Sequence, residues 1–301
     1  MPFTAKSGKF NASINAVEFG TGDKAVKIGG ENVFPLYSFD AAIENAPKVG
    51  IEITDFGMEH EPECIKKYYE GCATLADMAR KAASMEGVDF LSFRMEGGDP
   101  NGANKSTEEL IGELKEIADA VDLPLVVCGC KNVEKDAELF SKAAEALNGK
   151  NAVILSAKEE NYKTVGAAAG LAYKQVVGAE SAVDINLAKQ LNVLISQLGV
   201  DSKSVVMNVG SAAVGYGFEY VISTMDRVKA AALQQGDANL QMPIITPVAS
   251  EAWGVKEAMA SETDAPEWGS QEERGIDMEV ETAMAVIAAG SNAVILKHPE
   301  S

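Results

Sequence analysis

The chain has 301 residues, 47% of them hydrophobic and 24% charged, and this length suffices to bury a full core without disulfides or metals. Its net charge of −19 argues against a nucleic-acid binder or a protein of anionic membrane surfaces, because both need a positive face. No apolar run reaches the roughly 18 residues of a membrane span, and the first ten residues lack the apolar centre of a signal peptide. We therefore expect a cytoplasmic globular protein whose four cysteines are free thiols.

Residues 10–34 predict a β-hairpin. The segments FNASINAVEFG and KAVKIGG alternate between apolar and polar residues, and Thr21, Gly22 and Asp23 lie between them. This alternation is typical of a half-buried antiparallel pair rather than of strands in a parallel core. We therefore expect an N-terminal hairpin extension over residues 1–48 and a second unit over residues 49–301.

The second unit consists of repeated strand and helix patterns. Short apolar runs, bounded by turn residues, occur at 49–54, 90–95, 123–129, 151–157, 175–180, 204–210, 242–248 and 292–297. Segments with helical periodicity lie between them, the clearest at 108–121, 134–147, 185–199 and 219–233. Eight such repeats predict a TIM (β/α)8 barrel. The final helix is missing from this pattern, since the chain stops at Ser301 just past the eighth run.

Local signals refine the helices and one loop. Capping boxes are predicted from Ser106 to Glu109 and from Ser181 to Asp184. Residues 254–275 follow the seventh strand, and we expect the last helix only over 279–290. A connection of that length is unusual, and it lies on the C-terminal face, where barrels place their functional loops.

Polar residues at the strand ends should converge on one barrel mouth. They are Glu52, Thr54, Asp55, Glu96, Asp99, Cys128, Cys130, Glu159, Asn161, Glu180, Ser181, Asn208, Thr246, Ser250, Glu251, Lys297 and His298. The two histidines are far apart in sequence and no CxxC occurs, so neither a metal site nor a cysteine-ligated cluster is expected. Within CGC, we expect Cys128 to be buried and Cys130 to be exposed.

Two features near the sixth strand suggest a ligand without establishing one. Gly210, Gly215 and Gly217 occupy a strand-to-helix junction, where backbone amides can approach a ligand, although a simple tight turn is an equally good interpretation. Asp184, Asn186 and Asn208 offer the donors and acceptors that a pterin ring requires. For Asp184 we favour a helix cap, and for Asn186 a place inside the helix. Composition and spacing alone do not identify a reaction.

Taken in order, nine segments carry a family resemblance. They are VGIEITD (49–55), GGDPNGAN (97–104), CGCKNVEKD (128–136), KEENYK (158–163), VDINLAKQLNVLI (183–195), GYGFEY (215–220), MPIITPVASEAW (242–253), EWGSQEERGI (267–276) and KHPE (297–300). The sequence resembles the small subunit of the corrinoid/iron–sulfur protein, also called the delta subunit of acetyl-CoA decarbonylase/synthase. The resemblance spans residues 10 to 300, although family members usually continue beyond the HPE segment into a last helix.

The resemblance implies a TIM barrel that acts as a non-catalytic subunit. It implies an obligate heterodimer with a large subunit that carries the iron–sulfur cluster and a corrinoid (cobalamin) domain, with the corrinoid lying against this chain's barrel mouth. The heterodimer would take a methyl group from methyltetrahydrofolate through a separate methyltransferase. It would pass the group to carbon monoxide dehydrogenase/acetyl-CoA synthase, in the Wood–Ljungdahl pathway. The alternatives are a self-sufficient pterin-dependent methyltransferase of the same barrel class and a scaffold without cofactor contact.

On this basis we predict which residues of this chain face the corrinoid. They lie in the glycine-containing turn and in the segment after the seventh strand, and they are Asn208, Gly210, Gly215, Tyr216, Gly217, Ser250, Glu251 and Trp253. No catalytic residue and no metal ligand is predicted. The acidic loop 254–275, with Trp268, is expected to meet a partner protein.

Overall fold

The predicted N-terminal hairpin is present. The computed structural model describes residue 6 and residues 8–301. In it, β1 (Val17–Phe19) and β2 (Val26–Ile28) form an antiparallel pair joined by a short helical turn over Gly22–Lys24. Both strands alternate between buried and exposed residues, so one face of the hairpin is apolar.

Eight parallel strands form the predicted TIM-type barrel. They are β3 (Lys48–Thr54), β4 (Phe90–Arg94), β5 (Leu125–Cys128), β6 (Val153–Ala157), β7 (Val176–Glu180), β8 (Val205–Asn208), β9 (Ile245–Pro247) and β10 (Ala293–Leu296). The strands from β3 to β8 pair in sequence order, and β10 pairs with both β3 and β9. The ring is completed between β8 and β9 by a single parallel bridge of Met207 to Ile244. The barrel is therefore nearly closed, with its weakest pairing at that point.

Helices surround the barrel. They are α1 (Glu63–Tyr68), α2 (Leu75–Ala83), α3 (Thr107–Ala120), α4 (Val133–Ala146), α5 (Tyr162–Val165, continued by a π-helical stretch to Ala172), α6 (Ile185–Gln197), α7 (Phe218–Leu233), α8 (Ala249–Ala252), α9 (Lys256–Met259) and α10 (Gln271–Ala289). Of the helices in the part of the chain that the structure describes, none is both long and apolar enough to cross a membrane.

The helix caps confirm one sequence prediction and correct two. Ser106 accepts a hydrogen bond from the backbone of Glu109 and caps α3, which is the Ser106 half of the predicted capping box. The box at Ser181 is wrong, because Asp184 itself caps α6. The last helix begins at residue 271 rather than 279, because Ser270 caps it and acidic residues fill its first turn. The final part of the expected loop 254–275 is therefore helical.

The hairpin closes the N-terminal end of the barrel. Val17, Phe19, Val26 and Ile28 are at most 6% exposed and belong to one apolar cluster with the inward-facing side chains of the barrel strands. The Phe19 ring meets the Phe90 ring edge-on, with centroids 5.5 Å apart. The barrel interior is therefore dry at this end, and burying four large side chains there favours the folded state by several kcal/mol, at about 1.5–3 kcal/mol each.

Residues 297–301, after β10, form no helix but are firmly held. Glu279 of α10 is fully buried and accepts hydrogen bonds from the backbone N–H groups of Lys297 and His298, at 2.6 and 3.0 Å. The Lys297 ammonium also pairs with Glu61, just before α1, at 2.9 Å. The segment between β3 and α2 thus packs beside the last strand, and no helix follows β10 among the described residues.

Candidate functional site

The inward-facing residues of the barrel strands change from apolar to polar towards the C-terminal end. On β4 the series is Phe90, Ser92 and Arg94, and on β7 it ends at Glu180. Alternate residues of a strand point to the same side, so each series runs along the barrel axis. The polar members gather at the C-terminal mouth, where TIM barrels carry their functional groups.

The mouth contains a cavity of about 310 Å³. The residues that line it are Arg94, Cys128, Gly129, Lys131, Asp136, Phe140, Leu155, Ser156, Lys158, Glu180, Ala182, Val183, Asn208, Gly210, Ser211, Pro247, Ser250 and Glu251. They come from the ends of six of the eight barrel strands, from the loops that follow them, and from α4 and α8. Its volume is near the lower end of small-molecule pockets, roughly 300–1,000 Å³.

Arg94 is a buried charge of this mouth. Its Nε and Nη2 atoms lie 3.0 and 2.9 Å from Oε2 of Glu52, and both residues are less than 8% exposed. Burial alone would lower the pKa of the Arg94 guanidinium, but Glu52 more than offsets this and raises it. Burial also raises the pKa of the nearby Cys128 thiol to about 11, although Arg94 opposes the rise. Cys128 is therefore a neutral thiol at pH 7 and a poor nucleophile.

The CGC segment forms a cradle for the Asp136 carboxylate. The backbone N–H of Cys130 donates to Oδ1 of Asp136 at 2.7 Å. A Cβ atom on Gly129 would overlap this carboxylate, so glycine is needed between the two cysteines. Burial raises the pKa of Asp136, and the Cys130 N–H opposes the rise. Cys130 is only 5% exposed, and its predicted exposure is wrong, because the cradle turns it towards the core.

Two further ion pairs of the mouth are more exposed than the Arg94–Glu52 pair. Lys158, just after β6, lies 3.1 Å from Glu180 at the end of β7. Lys131 lies 3.3 Å from Glu251, which brings together loops that follow β5 and β9. The three cationic residues of the lining, Arg94, Lys131 and Lys158, are thus each paired with a carboxylate.

Asn208 connects the wall of the cavity to the glycine-containing turn. Its Nδ2 donates to Ser156 Oγ at 3.1 Å, and its Oδ1 accepts from the Gly210 N–H at 3.0 Å. By contrast, Asp184 accepts from two backbone N–H groups at the start of α6, and Asn186 lies inside that helix. Asp184 therefore belongs to a helix cap rather than to the cavity, although as the N-cap residue itself and not as the partner of Ser181, and Asn208 alone of this trio lines the cavity.

Half of the residues predicted to face the corrinoid line the cavity: Asn208, Gly210, Ser250 and Glu251. Gly215, Tyr216 and Gly217 lie farther along the same turn, before α7, and Tyr216 is exposed. Its hydroxyl donates to Glu257 at 2.6 Å, so this turn is tied to the loop 254–275.

Trp253 lies apart from the cavity. It is 5% exposed, and its ring stacks on His298 with centroids 5.7 Å apart. A Cβ atom added to Gly275 would overlap the ring, so α10 packs directly on its face. Trp268 is 38% exposed, and the cationic groups of Lys256 and Arg274 lie within 6 Å of its ring.

Sequence reasoning missed four charged residues of the cavity: Arg94, Lys131, Asp136 and Lys158. Three of them lie just beyond a strand or in the next helix, where a charge usually indicates a solvated surface. Arg94 had a usable signal, because it interrupts an apolar strand at an inward position, next to a strand that contains Glu52. Two opposite charges at inward positions of adjacent strands predict a buried pair.

The whole barrel matches known proteins. A family model described as the CO dehydrogenase/acetyl-CoA synthase delta subunit matches residues 16–297. The acetyl-CoA decarbonylase/synthase complex subunit delta of Methanothermobacter thermautotrophicus is 32% identical over 295 residues, covering 97% of this chain and 74% of that protein. Subunit delta 1 of Methanosarcina thermophila is 30% identical over 94% of this chain and 65% of its own length. The corresponding Archaeoglobus fulgidus subunit is 32% identical over 93% of this chain and 62% of its own length. The chain thus spans less than two thirds of the last two.

Solved structures share the fold at low sequence identity. Dihydropteroate synthase from Thermus thermophilus, in complex with 4-aminobenzoate, superposes with a TM-score of 0.53 at 12% identity, covering 94% of each chain. The Xanthomonas albilineans enzyme gives a TM-score of 0.51 at 13% identity, over 94% of this chain and 93% of that one. At such identity the likeness concerns the fold alone.

Proposed function

Because the chain belongs to the CO dehydrogenase/acetyl-CoA synthase delta-subunit family, we propose that it is a non-catalytic subunit of an acetyl-CoA decarbonylase/synthase complex. Its mouth would cover a corrinoid carried by a large corrinoid/iron–sulfur subunit. The observation that carries the proposal is the family match over residues 16–297, which includes the hairpin-closed barrel and the whole mouth. The iron–sulfur cluster would belong to the large subunit.

The chemistry of the mouth supports a covering rather than a catalytic role. Each charged side chain that lines it has a neighbour: Arg94 pairs with Glu52, Lys158 with Glu180, and Asp136 with a backbone N–H. The Cys128 thiol is buried and protonated at neutral pH. A general acid or nucleophile needs a pKa suited to its task and access to the reacting atom, and these groups are instead fixed by their neighbours.

The residues of the mouth fit a large polar cofactor. Ser211 Oγ is buried without a hydrogen-bond partner among the described residues, and the turn around Gly210 (φ +96°) places backbone at the cavity edge. When bound, the corrinoid supplies a cobalt centre that accepts and releases a methyl group. Asn208, Ser250 and Glu251 would hold polar parts of the cofactor, and the apolar interior beneath them would exclude water from that side.

The partners follow from this role. We propose that the methyl group comes from methyltetrahydrofolate through a separate methyltransferase. It would be delivered to carbon monoxide dehydrogenase/acetyl-CoA synthase, as in the Wood–Ljungdahl pathway. The loop 254–275, which carries Trp268 and several acids, is the proposed contact with one of these proteins.

Co-expression with the large corrinoid/iron–sulfur subunit of the same organism tests the proposal. We expect a stable heterodimer that contains cobalt and iron, and an interface of more than about 2,000 Å². Sedimentation that shows only separate monomers would contradict it. Removal of this subunit should also increase the loss of corrinoid from the large subunit, and unchanged retention would argue for a scaffold without cofactor contact.

A pterin-dependent methyltransferase is the second candidate. The observation in its favour is the cavity itself, whose volume of about 310 Å³ suits a small heterocycle beside Asn208. The isolated chain separates the two candidates. We expect no methyl transfer from methyltetrahydrofolate to free cob(I)alamin, whereas turnover well above background would favour the methyltransferase.

A further inference from the structure

The floor of the mouth cavity presents hydrogen-bonding atoms that its own neighbours leave unused. Arg94 is 7% exposed and binds Glu52 through Nε and Nη2, which leaves Nη1 for the cavity. Ser156 is 5% exposed; its Oγ accepts from Asn208, and its own proton remains available. On the opposite wall, Ser211 Oγ is buried and has no partner among the described residues. Buried polar atoms are normally hydrogen-bonded, so these atoms indicate a ligand or water.

The paired charges of the wall also retain spare bonding capacity. The Lys158 ammonium has three protons, and it pairs with one oxygen of Glu180 at 3.1 Å. Asp136 accepts from the Cys130 N–H at Oδ1, and a carboxylate offers about four acceptor positions, so it can accept a further hydrogen bond. The cavity therefore contains unused donors and unused acceptors side by side, and three cationic and three anionic side chains line it.

Unused donors and acceptors beside equal numbers of opposite charges indicate which kind of ligand the cavity would bind. A charged ligand would lose its hydration without meeting an unbalanced opposite charge, and an apolar ligand would leave the buried donors and acceptors unsatisfied. An uncharged group that both donates and accepts hydrogen bonds within a small volume satisfies the unused donors and the unused acceptors together. The carboxamide or lactam group, with one C=O and one N–H edge, has these properties.

We propose that the mouth cavity is an amide-binding pocket, in which Arg94, Lys158 and Ser156 donate to a carbonyl oxygen while Asp136, Glu180 and Ser211 accept from the amide N–H groups. Two sources carry this chemistry: the carboxamide side arms of a corrin ring and the lactam edge of a pterin. The choice of the corrin arms rests on the proposed function. A corrin ring is too large for a cavity of about 310 Å³, so only its side arms enter it.

The test is direct binding to the full chain, measured by calorimetry. The probes are aquocobinamide, whose corrin ring carries carboxamide arms, and 6-methylpterin, which has the lactam edge but no corrin ring. Lys158→Met removes a charged donor and should weaken binding about tenfold, whereas Ser211→Ala removes a neutral partner and should weaken it roughly threefold. Lys142→Met is the matched control, because Lys142 forms a comparable ion pair with Glu145 on the exposed face of α4.

Each outcome decides one part of the proposal. Binding of cobinamide that weakens in both cavity variants but not in Lys142→Met supports the pocket and the corrin arms. The same pattern for 6-methylpterin alone supports the pocket and assigns it to a pterin. If neither probe binds, or if binding is indifferent to Lys158 and Ser211, the pocket is refuted. Thermal melting of each variant shows that the barrel is folded. If the pocket is refuted but the chain still assembles with its large subunit, the proposed function remains intact.

Discussion

The two ends of the barrel are built from the same strands in opposite ways. At the N-terminal end, Phe90 and its neighbours on the other strands meet the apolar face of the hairpin. At the C-terminal end, the same strands present Arg94, Glu180 and Asn208 to an open cavity. Only a few residues along each strand separate a sealed interior from a polar mouth.

Stability and function reside at different ends of the barrel. The sealed end buries large side chains without polar atoms, and such burial is the main favourable term in folding. The mouth contains a buried ion pair, for which the loss of hydration offsets much of the attraction, so the pair adds little net stability. Changes at the sealed end should therefore alter unfolding, and most changes at the mouth should alter binding.

The hairpin offers the strongest test of this division. Phe19→Ala should lower the free energy of unfolding by about 3–5 kcal/mol, because it leaves a cavity against Phe90 in a closed interior. Denaturant unfolding measures the loss. Phe39→Ala is the control, since Phe39 is 78% exposed and its truncation should change stability by less than about 0.5 kcal/mol. Equal effects of the two would mean that the hairpin does not seal the barrel.

Arg94 departs from this division, because it lies at the mouth but is buried. Arg94→Met should lower the free energy of unfolding by about 3 kcal/mol, since it leaves the Glu52 carboxylate buried without its partner. The double variant Glu52→Leu/Arg94→Met should recover most of that loss in the same denaturation experiment. A double variant as unstable as the single one would show that the pair itself stabilises the barrel.

Trp268 tests the mouth as a docking surface. Trp268→Ala should weaken the binding of a partner by about 2 kcal/mol or more, because exposed aromatic anchors often dominate such contacts. The melting temperature of the free chain should not fall. A lower melting temperature with unchanged partner affinity would instead place Trp268 in the core.

Trp253 lies at the mouth end but packs like a core residue. Gly275→Ala should lower the free energy of unfolding by about 1.5 kcal/mol, because the new methyl group overlaps the Trp253 ring. Gly112→Ala in α3 is the matched control: a Cβ there meets open space, so alanine should raise stability by up to about 1 kcal/mol. If Gly275→Ala is harmless, the Trp253 ring is free to move and its predicted contact with the corrinoid gains support.

The smallest expected effect concerns His298, which stacks on Trp253. Burial lowers the pKa of His298 below 6.5, although Glu272 opposes the shift. As the pH falls through 6.5, the unfolded chain takes up this proton before the folded chain does, so the contribution of His298 to stability decreases. The stability difference between the chain and His298→Asn should therefore shrink from pH 7.5 to 5.5. A constant difference would mean that His298 titrates normally.

The strands and the order of elements could be predicted because each barrel strand is a short apolar run between turn residues. The start of α10 could not, because Gly275 and the acids around it resemble a loop, and its cap at Ser270 follows an irregular segment. The mouth was predictable at strand ends such as Glu180 and Asn208. The cradle of Asp136 was not, because it depends on a carboxylate of α4 folding back onto the turn after β5.

The hairpin precedes in sequence nearly everything that it touches. The Gly20 N–H donates to the carbonyl of Asn151, the Asn15 N–H donates to that of Gln241, and Glu31 pairs with the buried Lys229. Contacts across such sequence separations form slowly, because the entropy of closing long loops is lost before the contacts are gained. During synthesis the apolar face of the hairpin therefore has no partner until most of the barrel has emerged. We expect its docking to be a late and slow step of folding, and the species that precedes it, with an open apolar barrel end, to be the one most prone to aggregation.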